Sequence, residues 1–535
     1  MLRNKKYVYS EHDIKVPISL NLGEFVLNSI LQYQDRVAFI DAHTQEKLTF
    51  SEIAQNAMNV AVSLVQQGVR KGETIAVCSE NRSEFWPTVI GTLLAGAVIT
   101  PISVVYTKDE LKHILGISKP KYIFCSPFAY KAHKSTIQST KHIRKVYLYG
   151  DEKTSNEILY KDLVKNVNVK REDFMPVEVQ GQTDDAVILY SSGTTGLPKG
   201  VVLTHFNGLV YCSFIKFDEP QDPMTVLSIA PWYHAYGMWG NIGSMCNGRT
   251  NVYIKRFEEK LFLETIQRYK ISVLFLVPPI LVLLSKSQIL KNYDVTSVTQ
   301  MNCGAAPLDV ETIDEVKRRF PNVEGVMQGY GMTESTLALC KDNLFQPYKA
   351  GSVGTATPST VLKVVDLKTR EPLGPNQPGE ICAKGALIMK GYIGRPRSED
   401  FDDEGFYRSG DIGYYDEDGY FFIVDRLKEL IKYKGFQVPP AEIEAELLKH
   451  PAVRDAGVVG VPDRASGELP LAFVVTQPGA AVTEREIQSY VAEKLSNPKQ
   501  LRGGVRFVKE IPKNPSGKIL RRILRDMLKS GKSKL

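Results

Sequence analysis

What this chain of 535 residues lacks excludes several classes of protein before any motif is read. Its seven cysteines (Cys78, Cys125, Cys212, Cys246, Cys303, Cys340 and Cys382) are scattered, odd in number and without C-x-x-C spacing. That pattern points to a reducing compartment and offers no structural zinc site. No apolar run is long enough to span a membrane. The longest, residues 89–105 and 271–285, are broken by Pro101 and by Pro278 and Pro279 and read as buried core, so no transmembrane segment is expected. The opening MLRNKKYVYSEHD has no apolar stretch behind its basic residues, so no secretory signal is expected. Charge of one sign is never gathered into a block. With 67 Lys and Arg against 60 Asp and Glu, the net charge of +7 is dispersed, which argues against nucleic acid as the main partner. A mild positive bias suits small anionic ligands without singling one out. Internal repeats and low-complexity segments are also missing.

What is present is an ordinary globular composition, 43% hydrophobic and 24% charged, in a chain too long for one core, so at least two domains are expected. From about residue 50 to 430, helical stretches such as 51–67 alternate with short apolar runs at 74–78, 122–125, 186–190 and 226–230. Such alternation indicates α/β layering with mostly buried strands. After Gly405 the texture changes. Short strands at 413–419 and 420–424 lead into the charged segment 425–440, followed by amphipathic helices at 441–450 and 484–494 and strands near 456–461 and 471–476. The expected organisation is a large composite α/β domain over residues 1–425 and a small, mobile α+β domain over 426–535.

The densest chemical signal is SSGTTGLPKG, residues 191–200, set between apolar runs. Ser191, Ser192, Thr194 and Thr195 offer hydroxyls, Gly193 and its neighbouring glycines permit close backbone approach, and Lys199 adds a cation. That combination grips phosphate oxygens between two strands. It is not the Walker pattern of P-loop kinases, since no Gly-Lys-Ser/Thr closes it.

This loop resembles the signature loop of the adenylate-forming enzymes, the family of acyl-coenzyme A synthetases, 4-coumarate ligases and beetle luciferases. The likeness continues through GYGMTE (329–334), YRSGD (407–411), DRLKELIKYKGFQVPPAEIE (425–444) and PKNPSGKILRR (512–522), five motifs in the family's order. The resemblance implies that ATP, Mg2+ and coenzyme A are used and assigns roles to residues. Tyr330, flanked by Gln328, Gly329 and Gly331, would stack on adenine; Thr333 would bind the α-phosphate, and Glu334 would help to hold magnesium. Asp411 would bind the ribose, and Arg426 the ribose or phosphate. Lys518 would bridge the acid's carboxylate and the α-phosphate. Lys434 and Gly435 would border the coenzyme A tunnel, whereas Lys432 and Gln437 would contact the adenylate. Two lysine sets of this kind do not fit one static geometry, so rotation of the small domain about residues 426–428 is implied. His234, in an aromatic stretch, would lie near the acid and the α-phosphate.

Likeness to beetle luciferases is close in IKYKGFQVPPAE, LRGGV and the terminal GKSKL. The chain departs from them at Tyr211, where they carry arginine, and at Leu337, where they carry serine. A branched alkyl group in place of a hydroxyl makes the site drier and better suited to an aliphatic acid. The implied pocket comprises Tyr211, Tyr236, Gly304, Ala305, Ala306 and Leu337, and the expected activity is that of a fatty acid–coenzyme A ligase. A luciferase, an arylpropenoate ligase and a catalytically silent acyl-AMP binder remain alternatives. Finally, Ser533-Lys534-Leu535 matches the address read by the peroxisomal import receptor, so a peroxisomal location is expected.

Overall fold

The computed structural model describes residues 6–10, 14–152, 156–191, 198–218, 224–304, 308, 310–342, 347–434, 436–514 and 517–529. Two large sheets form the body. In the first, the strands Thr74–Cys78, Val98–Ile102, Tyr122–Cys125, Lys145–Leu148 and Ile158–Leu159 run parallel, and the antiparallel hairpin Asp185–Ser191/Lys199–Thr204 extends one edge. The second has a parallel centre of Val37–Asp41, Thr250–Tyr253, Thr225–Ser228, Val273–Leu276, Gln300–Cys303 and Val326–Tyr330.

Strand alternation sorts side chains onto two faces. Ile75, Val77, Tyr122 and Phe124 enter the largest core, whereas Ala76, Cys78, Ile123 and Cys125 join a separate cluster with the outer helices Lys108–Ser118 and Pro127–Ser139. On the second sheet, Phe39 and Tyr253 face the same largest core, and Ile40 and Val252 face the opposite helices. The helices Leu22–Ile30, Phe50–Gln66, Phe85–Leu94 and Ala235–Cys246 contribute to that central core, giving alternating layers of helix and sheet. Local chemistry starts several helices. Thr49 Oγ1 accepts from the Glu52 amide at 3.2 Å while the Glu52 carboxylate accepts from the Thr49 amide at 2.7 Å, a reciprocal cap that satisfies two otherwise orphaned donors.

A third, antiparallel sheet (Tyr7–Tyr9, Thr360–Val365, Gly379–Gly385, Tyr407–Tyr415, Phe421–Arg426) packs against the body. The chain then enters the small domain, whose strands Ile431–Tyr433, Phe436–Val438, Val453–Asp463, Gly467–Thr476 and Gly504–Phe507 carry the helices Pro440–Lys449 and Glu484–Lys494 on one face and Arg521–Lys529 on the other. The architecture expected from the sequence, a large α/β body followed by a small α+β domain, is the one observed.

A buried ionic knot fixes the start of the last helix. Arg521 reaches both oxygens of Glu444 at 2.8 and 2.7 Å, Glu429 at 2.8 Å and the Val458 carbonyl at 3.2 Å. Burial pushes the Glu444 carboxyl up to about 7, opposed by Arg521 and by the Val458 amide. Breaking a buried pair on one side strands the other charge. Arg521→Ala is therefore expected to destabilise the small domain by about 3 kcal/mol, measured by denaturant unfolding; a midpoint equal to that of the parent would contradict this account.

Candidate active site

The three sheets of the body converge where the family-like motifs lie. The strand Val326–Tyr330 ends in the second sheet, and Tyr330 donates its hydroxyl to Asp411 Oδ2 at 2.8 Å across to the third. Asp411 Oδ1 is held by Arg426 Nε at 3.0 Å, because the two residues face each other in the antiparallel pairing of Tyr407–Tyr415 with Phe421–Arg426. Asp411 is only 4% exposed, and its two oxygens are thus engaged by one neutral and one charged donor. Gly331 is required by close packing: a Cβ there would lie 1.7 Å from the Leu337 carbonyl oxygen.

The hairpin of the first sheet supplies the facing wall. Residues 192–197, and with them Ser192, Gly193, Thr194 and Thr195, lie outside the described residues, but both stems are defined. Ser191 is paired with Lys199 across the hairpin, and the Ser191 Oγ is enclosed without a hydrogen-bond partner among the described residues. Lys199 Nζ lies 4.6 Å from the Tyr392 ring centre. Burial and the Arg395 guanidinium lower its pKa, against Asp400 and Glu334. Tyr392 in turn donates to Glu334 Oε1 at 2.6 Å, with the Tyr407 hydroxyl 3.0 Å away. Glu334 sits in a buried one-turn helix, Thr333–Ser335, whose first residue Thr333 is half-buried. Gln328 spends its side-chain amide on the Ser352 carbonyl at 3.2 Å, and Gly329 pairs with Lys341.

Lys518 reaches this region from the small domain. Its loop is braced by Asn514, whose Oδ1 accepts from the Lys518 amide at 2.8 Å and whose amide donates back at 2.9 Å. The neighbouring Gly517 lies against the body, where a Cβ would be 3.2 Å from Pro279 Cγ. Burial and the Arg426 and Arg521 charges push the Lys518 ammonium down to about 8, while Glu429 and Asp411 oppose the shift. Lys432, Lys434 and Gln437 are not part of this gathering. They are exposed on the hairpin Ile431–Tyr433/Phe436–Val438, where Lys432 is paired with Gln437 and the Lys434 ammonium lies over Tyr433. Gly435 is outside the described residues.

The implied acid pocket is only partly assembled. His234 caps the helix Ala235–Cys246 without a side-chain hydrogen bond, and its Nε2 is enclosed without a partner among the described residues. Burial lowers its pKa to about 4, so the ring is neutral near pH 7. Tyr236, two residues on, donates to the Leu276 carbonyl at 3.3 Å and lines a cleft. Gly304 follows the strand Gln300–Cys303, and Leu337 packs with Met332 on the main core. Tyr211 is instead embedded in that core, 3% exposed, its ring 5.6 Å from that of Trp239; it is not among the residues lining the cleft. Ala305 and Ala306 lie outside the described residues. Sequence reasoning missed Tyr392 and Tyr407, although Tyr407 opens the YRSGD segment; a phenol supporting a buried carboxylate leaves no periodic or compositional trace.

Oxygen- and nitrogen-bearing groups at converging sheet ends, closed over by a cation from a separate domain, are the organisation of adenylate-forming enzymes. Residues 28–393 match the AMP-binding enzyme family, and residues 442–518 match the AMP-binding enzyme C-terminal domain. The chain belongs to the AMP-binding enzymes. It is 42% identical over 518 residues to a luciferin 4-monooxygenase of Nipponoluciola cruciata, covering 93% of this chain and 92% of that protein. A probable 4-coumarate–CoA ligase 1 of Dictyostelium discoideum is 37% identical over 520 residues, 94% of each chain. Among solved structures, ATP-bound MatB from Rhodopseudomonas palustris superposes with a TM-score of 0.83 at 27% identity, covering 95% of this chain and 99% of that one.

Lys518 can balance approaching anions only in its charged form, and protonation is lost as pH rises through about 8. The pH profile of kcat/KM for pyrophosphate release, which reports free-enzyme groups, is therefore expected to fall on the alkaline side near pH 8. Lys518→Arg should remove that limb whatever its residual rate, because guanidinium stays charged. A limb that persists in the arginine variant would assign it to another group.

Proposed function

We propose that this enzyme is an ATP-dependent fatty acid–coenzyme A ligase that forms an acyl-adenylate and then an acyl thioester. The observation that carries the reading is the docking of Lys518 from the small domain beside Asp411 and Arg426. In the first half-reaction the acid's carboxylate oxygen attacks the α-phosphorus of ATP, the bond to the β-phosphate oxygen breaks, and pyrophosphate leaves. Lys518 would neutralise the two anions as they approach, which lowers the barrier most where water is excluded. Asp411 accepts hydrogen bonds from the ribose hydroxyls in exchange for part of its present partners, Tyr330 carries the adenine, and Ser191, Lys199 and Thr333 hold phosphate oxygens. Neutral His234 would offer the acid a ring nitrogen that has no partner among the described residues.

Glu334 fits a magnesium site. It is 6% exposed and one oxygen receives the Tyr392 hydroxyl, and a buried carboxylate beside bound polyphosphate would need a cation to balance it. The ion would supply charge neutralisation at the phosphates.

In the second half-reaction the coenzyme A thiolate attacks the acyl carbon and AMP leaves with the bonding electrons. Exposure of Lys432, Lys434 and Gln437 on the small domain while Lys518 is docked supports a turn of that domain between the two steps. The turn would fall between Arg426, tied to Asp411 in the body, and Glu429, tied to Arg521 in the small domain.

For the acid, the supporting feature is Leu337, an alkyl side chain packed with Met332 on the core beside Gly331. The 42% identity with a luciferin 4-monooxygenase favours a second reading, luciferin adenylation followed by oxidation. Mass spectrometry of the protein with magnesium ATP and a panel of fatty acids, cinnamic acids and luciferin, with and without coenzyme A, separates the two. Fatty acyl thioesters with AMP are expected; luciferyl-AMP with light and no thioester would overturn the reading.

We also propose peroxisomal import through Ser533, Lys534 and Leu535, which lie outside the described residues. Removing these three residues is expected to shift an N-terminally tagged protein from peroxisomes to the cytosol, and an unchanged distribution by microscopy would reject the proposal.

A further inference from the structure

The outer helix Lys108–Ser118 meets the hairpin that carries Lys199 through two residues one turn apart, His113 and Ile117. Ile117 lies over Gly200, where a Cβ would be 2.8 Å from Ile117 Cγ2. His113 Nε2 lies 3.0 Å from the Pro198 carbonyl oxygen. A carbonyl only accepts, so Nε2 carries the hydrogen and donates. The helix itself is well anchored. Thr107 Oγ1 accepts from the Glu110 amide at 3.3 Å while the Glu110 carboxylate accepts from the Thr107 amide at 2.7 Å, and Leu111, Ile114 and Leu115 are buried in the cluster beneath.

The strand needs a hold at this point. Its pairing across the hairpin begins with Lys199 opposite Ser191, and Pro198, just before it, has no N–H to give to the ladder. The carbonyl of Pro198 and the amide nitrogen of Lys199 belong to one planar peptide unit. A donor fixed on that carbonyl therefore limits rotation of the plane from which Lys199 starts. From there the Lys199 ammonium lies over the Tyr392 ring, and Tyr392 donates to Glu334. The opposite stem has its own anchor, since Thr100 Oγ1 donates to the Tyr190 hydroxyl at 2.8 Å. His113 thus serves the Lys199 stem.

We propose that His113 is a positioning residue for the ATP phosphates: its Nε2 hydrogen bond fixes the Pro198–Lys199 peptide and so directs the Lys199 ammonium. It acts through Lys199 rather than on the nucleotide. The proposal rests on the phosphate-holding role given above to Lys199 and adds to it the residue that aims that cation.

Titration calorimetry of the full-length protein with magnesium ATP tests this without depending on the identity of the acid. His113→Phe, which keeps a flat ring and removes the donor, is expected to weaken binding roughly fivefold, as for one net hydrogen bond. His113→Gln, whose amide can still donate, should recover most of that loss. In a Lys199→Ala background the phenylalanine substitution should cost nothing further, because the residue it acts through is already gone. His113→Ala gives the same comparisons where the phenylalanine variant does not fold. Equal losses in the glutamine and phenylalanine variants, or a loss that adds in full to that of Lys199→Ala, would overturn the inference and leave the reading of Lys199 intact. Unchanged affinity in His113→Phe beside weakened binding in Lys199→Ala would do the same. Unchanged affinity in Lys199→Ala itself would overturn the phosphate-holding reading and the inference together.

Discussion

Asp411 is the point at which four parts of the molecule are joined. Its carboxylate accepts the Tyr330 hydroxyl from the second sheet and the Arg426 guanidinium from the segment leading to the small domain. Its backbone belongs to the third sheet, and its charge helps to hold the Lys518 ammonium of the small domain. A buried carboxylate is tolerable only when donors surround it, so its presence constrains everything around it. Ser409 braces it from behind, accepting the Asp411 amide while donating to the Ile381 carbonyl. With these donors in place, the Asp411 carboxylate is held in a fixed position before any ligand enters.

Domain closure is secured by weaker means. Away from the site, the named polar contacts between body and small domain include the Lys449–Glu311 pair at 2.9 Å and the donation of Lys286 to the Leu448 carbonyl at 3.1 Å. Both involve exposed lysine or glutamate side chains, and such pairs contribute at most about 1 kcal/mol each. The strongly held contacts are internal to each part: Arg521 with Glu444 and Glu429 in one, Asp411 with Tyr330 in the other. Weak contacts between rigid parts are what a turn between two half-reactions requires.

Periodicity made the layers legible. The helix expected at 51–67 is observed as Phe50–Gln66, the one at 484–494 as Glu484–Lys494, and the runs at 74–78 and 122–125 are strands with those bounds. The strand expected at 413–419 was misplaced, since Tyr407–Tyr415 runs through Gly410 and Gly413 with a register shift between Ile412 and Gly413. Glycines that read as a turn serve there as a bulge. The site was legible wherever its residues are contiguous, as in GYGMTE and YRSGD. Tyr392 beside Glu334 and Pro279 beside Gly517 come from distant segments, and no local pattern announces them. Tyr211, implied as a pocket residue, packs its ring against Trp239 and Phe214, contacts that its place in the sequence does not announce.

Charge balance ties the two halves of the proposed reaction together. Without Lys518, these charged side chains at the sheet ends, Arg426 and Lys199 on the positive side and Asp411 and Glu334 on the negative, cancel. A polyphosphate and a carboxylate brought together there would meet little net attraction, so the approach of both depends on cations that are not permanent fixtures of the body. Lys518 is one, delivered by the small domain with its pKa already lowered by burial and therefore stabilised in its charged form by arriving anions. In the proposed function, a divalent ion held at Glu334 would be the other. In the proposed reaction, departure of pyrophosphate would lower the anionic charge holding Lys518, and the same electrostatics that favoured closure would then favour release of the small domain.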